Sequence, residues 1–137
     1  MKETGYEIIL SYLPDRLRIN MADVPIHIRD RLNEVRIRAG RPVSLVLSDC
    51  VYFVSMNGHV FSDGHKSDLL ITSKEEVQEI LKRLCRFSVH SFERELKQGF
   101  FTIENGIRVG VCGVRTDICS PIKYASGFNF RISREIK

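Results

Sequence analysis

Hydrophobic positions near the start of the chain follow a helical period. Residues 6–20 place apolar side chains at helical spacing, and Pro14 is expected to interrupt or restart the helix. Pro25 is a favourable first residue for another short helix that runs to about Leu32. We therefore expect an amino-terminal helical segment over residues 1–32.

The period then changes to two, which is typical of strands. Charged and apolar residues alternate over 34–38, so Val35 and Ile37 should face one way and the charged side chains the other. Residues 43–47 and 51–55 predict two more strands. Asn57-Gly58 predicts a hairpin that returns through His59-Val60-Phe61.

A helical pair is predicted next. Ser73 followed by Glu76 is a capping box, and the apolar face behind it predicts a helix to about residue 86. A second helix over about 89–98 should end at Gly99, a favourable carboxyl-terminal cap.

The last third of the chain returns to strand patterns. Strands are predicted over 100–103, 107–113 and 128–132, with Asn105-Gly106 as a turn. Gly106, Gly110 and Gly113 are interpreted as sites of close strand packing. Hairpin strands around a helical insert predict an α+β fold with a mainly antiparallel sheet, forming one domain over 33–137.

Composition and charge fit a single soluble domain. The 137 residues are 43% hydrophobic, with no apolar run near the ~20 residues of a membrane span and no signal-peptide core at the start. We therefore expect a cytoplasmic location. The net charge of +4 permits an acidic partner or a phosphate, and the cations are mostly arginine, which suits both.

The four cysteines carry no metal-site spacing. Cys50, Cys85, Cys112 and Cys119 form no C-x-x-C pair, so reduced and partly buried thiols are expected. A bridge between Cys112 and Cys119 stays open for an oxidising compartment.

Three segments in order resemble one protein family. They are Leu32–Pro42, Phe87–Phe100 and Gly106–Gly113, with Phe128–Glu135 closing the pattern. Together they resemble the front part of the stage III sporulation protein AA family. The resemblance covers roughly residues 30–137.

The resemblance implies a fold and a setting. The family is similar to the secretion ATPases of type II, type IV pilus and type IV systems, whose motors open with a small domain described as PAS-like. It implies a hexameric ATPase that uses ATP and Mg²⁺ on the mother-cell side, beneath a channel to the forespore. Its partners would be its own ATPase domain, neighbouring subunits and a small membrane partner, with only indirect membrane contact.

The sequence lacks the motor's phosphate-binding loop. No G-x-x-x-x-G-K-[ST] string occurs, and in the family that loop follows the segment where this chain stops. We therefore expect a non-catalytic assembly and docking domain, without its own cofactor or metal and without ATP hydrolysis.

Arginines on the first predicted strand are one candidate site. The alternation puts Arg36 and Arg38 on one face, with Arg41 in the turn beyond, where they would contact an acidic surface or phosphate. The alternative is a solvated strand face with local pairing to Glu34.

A second candidate group follows from the resemblance. In the related pilus motors, arginines of the corresponding strands and connector approach the nucleotide. This implies such a role for Arg131 and Arg134, and less securely for Arg108 and Arg115. Structural ion pairs are the alternative.

Two further groups complete the candidates. Lys82, Arg83 and Arg86 would dock the membrane partner, or simply complement the helix dipole. His59, Asp63 and His65 are better explained by a solvated loop than by a metal site.

Two other functions stay open. A nucleic-acid-binding module would need a basic groove with exposed aromatics, whereas Phe100, Phe101, Phe128 and Phe130 are expected in the core, so nucleic acid is not the expected partner. A ligand-sensing domain would need a polar cluster within the apolar pattern, which the sequence does not show.

Overall fold

The structure, a computed structural model, describes residues 4–86, 92–115, 122 and 124–132. Within these ranges it contains five α-helices and seven β-strands. The helices are α1 (Gly5–Ser11), α2 (Asp15–Met21), α3 (Ile26–Arg29), α4 (Lys74–Leu84) and α5 (Glu93–Gln98). The strands are β1 (Glu34–Arg38), β2 (Ser44–Val46), β3 (Val51–Val54), β4 (Val60–Phe61), β5 (Phe100–Thr102), β6 (Arg108–Val114) and β7 (Tyr124–Arg131).

All seven strands form one open sheet in the order β4-β3-β2-β1-β7-β6-β5, and each neighbouring pair is antiparallel. The helical pair α4–α5 is inserted in the chain between β4 and β5. The α+β class and the mainly antiparallel sheet are therefore confirmed. The division of the chain at residue 32 stays a prediction.

The predicted start and stop signals are confirmed for α2, α4 and α5, whereas α3 begins one residue after Pro25 and ends at Arg29, before the predicted Leu32. The Ser73 side chain accepts from the Glu76 N–H, and the Glu76 carboxylate accepts from the Ser73 N–H, so the capping box is confirmed. Pro14 separates α1 from α2, and Gly99 ends α5 with a left-handed φ of 86°. Residues 87–91, part of the predicted second helix, lie outside the described residues.

The β3–β4 hairpin is also confirmed. Val54 pairs with Val60 across it, and Asn57 and Gly58 both have positive φ. Gly58 is also required sterically, because a Cβ there would lie 2.8 Å from the Asp23 carbonyl carbon and 2.9 Å from the Asn20 oxygen.

One face of the sheet is covered by helices and forms the core. Val35 on β1 lies opposite Leu45 on β2 and Phe130 on β7, and Ile37 lies opposite Phe128. All are buried together with apolar side chains of the helices, among them Ile9, Leu13, Leu17, Met21, Val77, Ile80 and Leu84. The helices of residues 1–32 thus share one core with the sheet.

The last strand begins earlier than predicted. β7 starts at Tyr124 rather than at residue 128, because its first half pairs with the far end of β6, across an irregularity between Cys112 and Gly113. Glycine and small residues in Tyr124–Gly127 hide this half-strand from a search for alternating apolar positions. The extension gives β6 a neighbour along its whole length.

Candidate functional site

The second face of the sheet is open to solvent and carries arginines. Residues directly opposite one another in antiparallel strands point to the same side. Glu34 lies opposite Arg131, which lies opposite Arg108, and Arg36 lies opposite Asn129. We call this side, which also carries Arg38, the open face. It unites strand arginines that the sequence placed in two separate groups.

Glu34 anchors the centre of the open face. Its carboxylate accepts a hydrogen bond from Arg36 Nε at 2.7 Å and lies 3.5 Å from the outer guanidinium nitrogen of Arg131. Glu34 is 5% exposed, whereas the Arg131 side chain is 73% exposed. A buried carboxylate needs such pairing. The local Glu34–Arg36 pairing suggested by the sequence is present, and Arg36 stays half exposed.

Arg38 lies flat on the open face. Its guanidinium donates to the Phe128 carbonyl at 3.0 Å and to Asn129 Oδ1 at 2.7 Å. A Cβ on Gly127 would come within 2.6 Å of Arg38 Cδ and nearer still to the Ile37 carbonyl oxygen. Glycine at 127 thus makes room for the arginine, which in turn holds the Asn129 amide oxygen.

A cavity of about 290 Å³ opens between β5, β6 and β7. We call it the arginine cavity. Arg108 and Arg131 flank it, and the Arg108 guanidinium lies 4.5 Å from the centre of the Phe100 ring. Its lining residues are Phe100, Arg108, Gly110, Asn129 and Arg131.

Gly110 lines the floor of the arginine cavity and, because glycine has no side chain, leaves the space above it open. A Cβ built there would have only Asn129 Cβ within 4 Å, at 3.9 Å. The interpretation of the three glycines as close-packing sites is therefore wrong for Gly110. It is also wrong for Gly106, a turn residue with positive φ and open space around it. It holds for Gly113, where a Cβ would clash with Ile122 and the Tyr124 backbone.

A second, larger cavity of about 720 Å³ lies on the same face, between the first strands and the loop 62–65. We call it the loop cavity. Its wall includes Arg36, Arg38 and Arg41 on one side and Asp63 and His65 on the other. Five arginines thus line the two cavities of the open face.

The loop 62–65 holds its own shape. Asp63 Oδ1 accepts a hydrogen bond from the His65 N–H at 2.9 Å, which makes a local turn. Among the described residues, no group of three His, Cys, Asp or Glu side chains is placed to hold a metal ion. The predicted metal alternative therefore gains no geometric support.

The helical candidates differ in how far other groups already engage their side chains. Arg83 is engaged in structure: it donates to the Leu13 carbonyl at 2.7 Å and pairs with Glu79 at 3.1 Å. Lys82 is exposed, and Arg86, beyond the helix end, lies 6.0 Å from the Phe92 ring centre. Any docking role of Arg83 must share its side chain with this structural task.

Two of the candidate nucleotide-contacting arginines are not among the described residues that line the arginine cavity. Arg115 donates to the Lys97 carbonyl at 2.7 Å, near the end of α5. Arg134 lies outside the described residues. Of the four arginines in that group, the described structure gathers Arg108 and Arg131 on one cavity.

Sequence reasoning missed three contributors to this cavity. Phe100 was expected in the core but is half-buried on the open face, because Phe101 takes the inward position. Asn129 lies directly opposite Gly110, which lies directly opposite Phe100, so the three residues form one row across β7, β6 and β5. The signal for Gly110 and Asn129 was strand parity, since they lie two residues from Arg108 and Arg131 on the same strands. Phe100 lies on a strand without such an arginine, and its outward position follows from its register with Gly110.

No solved structure matched the chain significantly. Stage III sporulation protein AA of Bacillus subtilis (strain 168) is 29% identical over 130 residues, which is 93% of this chain and 38% of that relative. The chain therefore spans well under half the length of the relative.

A match to one protein family covers nearly the whole sequence. Residues 3–137 match the family described as "Sporulation stage III, protein AA". Within the described residues, no helix is long and apolar enough to cross a membrane. The resemblance found in the sequence motifs is confirmed, and the chain belongs to the stage III sporulation protein AA family.

Proposed function

We propose that this domain is a non-catalytic docking module of a sporulation ATPase, and that the open face is its interface. The observation that carries the proposal is the unequal covering of the sheet. One face is packed against helices, while the other exposes Arg36, Arg108 and Arg131 over two cavities. Arginine and partly exposed aromatic side chains are enriched where protein surfaces bind partners.

The chemistry of the open face favours binding over catalysis. Arginine stays protonated at neutral pH, so it neither accepts nor gives a proton in a reaction. Its planar fork binds oxyanions strongly and with defined geometry. The absence of a phosphate-binding loop from the sequence agrees with a domain that positions other parts.

The remainder of the proposal rests on family membership. The docked surfaces would be the protein's own ATPase domain, neighbouring subunits of a hexamer and a small membrane partner on the mother-cell side. ATP and Mg²⁺ would belong to the complete protein, with Arg134 near the nucleotide. The helical pair inserted into an antiparallel sheet supports the PAS-like description.

The proposal is tested in a full-length family member that contains this domain. Replacing Arg108 and Arg131 together by alanine should abolish assembly into the oligomer, measured by mass photometry, and reduce ATP hydrolysis at least tenfold. Arg18→Ala is a matched control, since Arg18 is a half-exposed arginine on α2 whose ion-pair partner among the described residues is the neighbouring Asp15, at 2.7 Å. Wild-type assembly and ATPase activity in the double variant would refute the proposal.

A further inference from the structure

The arginine cavity presents hydrogen-bond donors to whatever enters it. Arg108 and Arg131 contribute guanidinium groups, and neither can accept a hydrogen bond. Asn129 Oδ1 already accepts a hydrogen bond from Arg38, so what the Asn129 side chain can still offer an occupant is the N–H donors of its amide nitrogen. An occupant that satisfies these donors has to bring oxygen acceptors, and a negative charge would be favoured.

The charges around the cavity also call for an anion. Arg108 and Arg131 lie directly opposite each other on neighbouring strands, and like charges in this position destabilise a sheet. Glu34 lies on the far side of Arg131 and is shared with Arg36, so its charge is divided between two arginines. An oxyanion between Arg108 and Arg131 would relieve their repulsion.

We infer that the arginine cavity receives an Asp or Glu carboxylate from an acidic segment of a protein partner. This inference rests on the proposed docking function and specifies the chemical group that the interface binds. The face already holds one carboxylate by the same means, since Glu34 sits between Arg36 and Arg131. The cavity of about 290 Å³ has the size for a single side chain, with the Phe100 ring as its apolar wall.

The aromatic rings of the open face argue against a nucleic acid strand. Bases need open ring faces on which to stack. The Arg108 guanidinium lies 4.5 Å from the Phe100 ring centre, and Lys66 lies 4.5 Å from that of Phe61. Gly64 lies close to the Phe53 ring, where an added Cβ would be 3.1 Å from it. Each ring thus has another group over or against it.

The loop cavity offers a second position for the same acidic segment. β1 and β6 are separated by β7, which places them about 10 Å apart at ordinary strand spacing. An extended chain covers that distance in about three residues. A segment with two acidic residues two to four positions apart can therefore reach Arg108 with one and Arg36 or Arg41 with the other.

The inference is tested by NMR titration of this 137-residue chain with two synthetic peptides. One carries a Glu-x-x-Glu motif flanked by glycine and serine, and the other replaces both Glu by Gln. The acidic peptide should shift the amide signals of Gly110 and Asn129 and bind more weakly as salt rises. Arg108→Gln and Arg131→Gln should each weaken it by about tenfold.

A steric variant tests the cavity without changing charge. Gly110→Val fills the floor of the cavity in a strand that tolerates valine, and it should weaken the acidic peptide at least as much as Arg108→Gln does. Arg18→Ala, on α2, should leave binding unchanged. Circular dichroism and thermal melting establish that each variant is folded.

Several results would overturn the inference. Equal binding of the Gln peptide would exclude a carboxylate. Tighter binding of an oligothymidylate of equal charge, lost on Phe100→Leu, would favour nucleic acid. Binding insensitive to Gly110→Val would place the peptide elsewhere. If the acidic peptide fails to bind while the full-length protein still loses assembly on replacement of Arg108 and Arg131, the docking function survives and only the acidic-segment inference fails.

Discussion

Arg108 on β6 and Arg131 on β7 face each other directly across the sheet, with their side chains on its open face. Such a pair opposes folding, and the local structure compensates in two ways. Arg131 approaches Glu34 at 3.5 Å, and Arg108 lies over the Phe100 ring at 4.5 Å. The arrangement keeps two positive charges exposed together, which is a cost to stability that a binding surface explains.

Removing Arg108 should therefore leave stability nearly unchanged. Arg108→Gln relieves the repulsion from Arg131 and loses the contact with Phe100, two effects of about 0.5–1 kcal/mol each that oppose one another. The free energy of unfolding should stay within about 0.5 kcal/mol of wild type in urea titrations. A loss well beyond that would show that Arg108 is a structural residue.

Replacing Glu34 should have the opposite effect to replacing Arg108, since it should lower stability and strengthen binding of the acidic peptide. Glu34→Gln leaves Arg36 and Arg131 without their buried carboxylate, so unfolding should become easier by about 1–3 kcal/mol. The same change removes a negative charge from the open face and should tighten binding of the acidic peptide. Urea denaturation and peptide titration of one sample measure both. Weaker peptide binding by a folded Glu34→Gln protein would contradict this account.

Two glycines of the open face offer a matched comparison. Gly110→Ala places a methyl group in open space and should be neutral or stabilising by up to about 1 kcal/mol, because it restricts the unfolded chain. Gly127→Ala forces that methyl against Ile37 and Arg38, and should cost about 2 kcal/mol or more. Thermal unfolding of the two variants side by side checks the order. Equal costs would mean that Arg38 moves away without loss.

Local signals predicted the elements well, since they depend on neighbouring residues. Ser73 and Glu76 fixed the start of α4, and Gly99 fixed the end of α5, because caps are short-range hydrogen-bonding patterns. Alternation alone located β1 at its observed bounds. The half-strand before Phe128 was missed because its small residues carry no alternation, and only pairing with β6 makes it a strand.

Predicting the site would have required information that the sequence of a single strand does not contain. Parity placed Arg36 and Arg38 on one face, yet it is the pairing of β1 with β7, about a hundred residues later in the chain, that puts Arg131 on the same face. Phe100 and Phe101 are adjacent and equally apolar, so which one faces the core is decided by register with Val109. Register is a tertiary property.

Arg83 and Lys82 are adjacent on α4 but should respond differently to replacement. Arg83→Ala loses a hydrogen bond to the Leu13 carbonyl and a pair with Glu79, and should cost about 1–2 kcal/mol. Lys82 is exposed, so Lys82→Ala should change stability by less than about 0.5 kcal/mol. Chemical denaturation separates them. If both are neutral, the carbonyl contact contributes nothing and Arg83 is available for docking.

Glu76 gives the fold a defined dependence on acid. Burial would raise the pKa of its carboxyl group, but the hydrogen bonds from Arg16 and Ser73 outweigh burial and hold the pKa below its ordinary value of 4.5. A carboxylate with a lowered pKa in the folded state stabilises the protein above its unfolded pKa, and this contribution disappears as pH falls through the folded value.

Glu76→Gln should therefore cost about 1 kcal/mol at pH 7, a modest value because the Arg16 side chain is partly exposed and the amide can still cap α4. The difference from wild type should shrink below about pH 4 and vanish once the wild-type carboxyl is protonated. Glu75→Gln, on the exposed side of the same turn, is the control and should show a smaller cost. A difference between Glu76→Gln and wild type that stays constant from pH 7 to pH 3 would mean that the Arg16–Glu76 ion pair does not stabilise the fold.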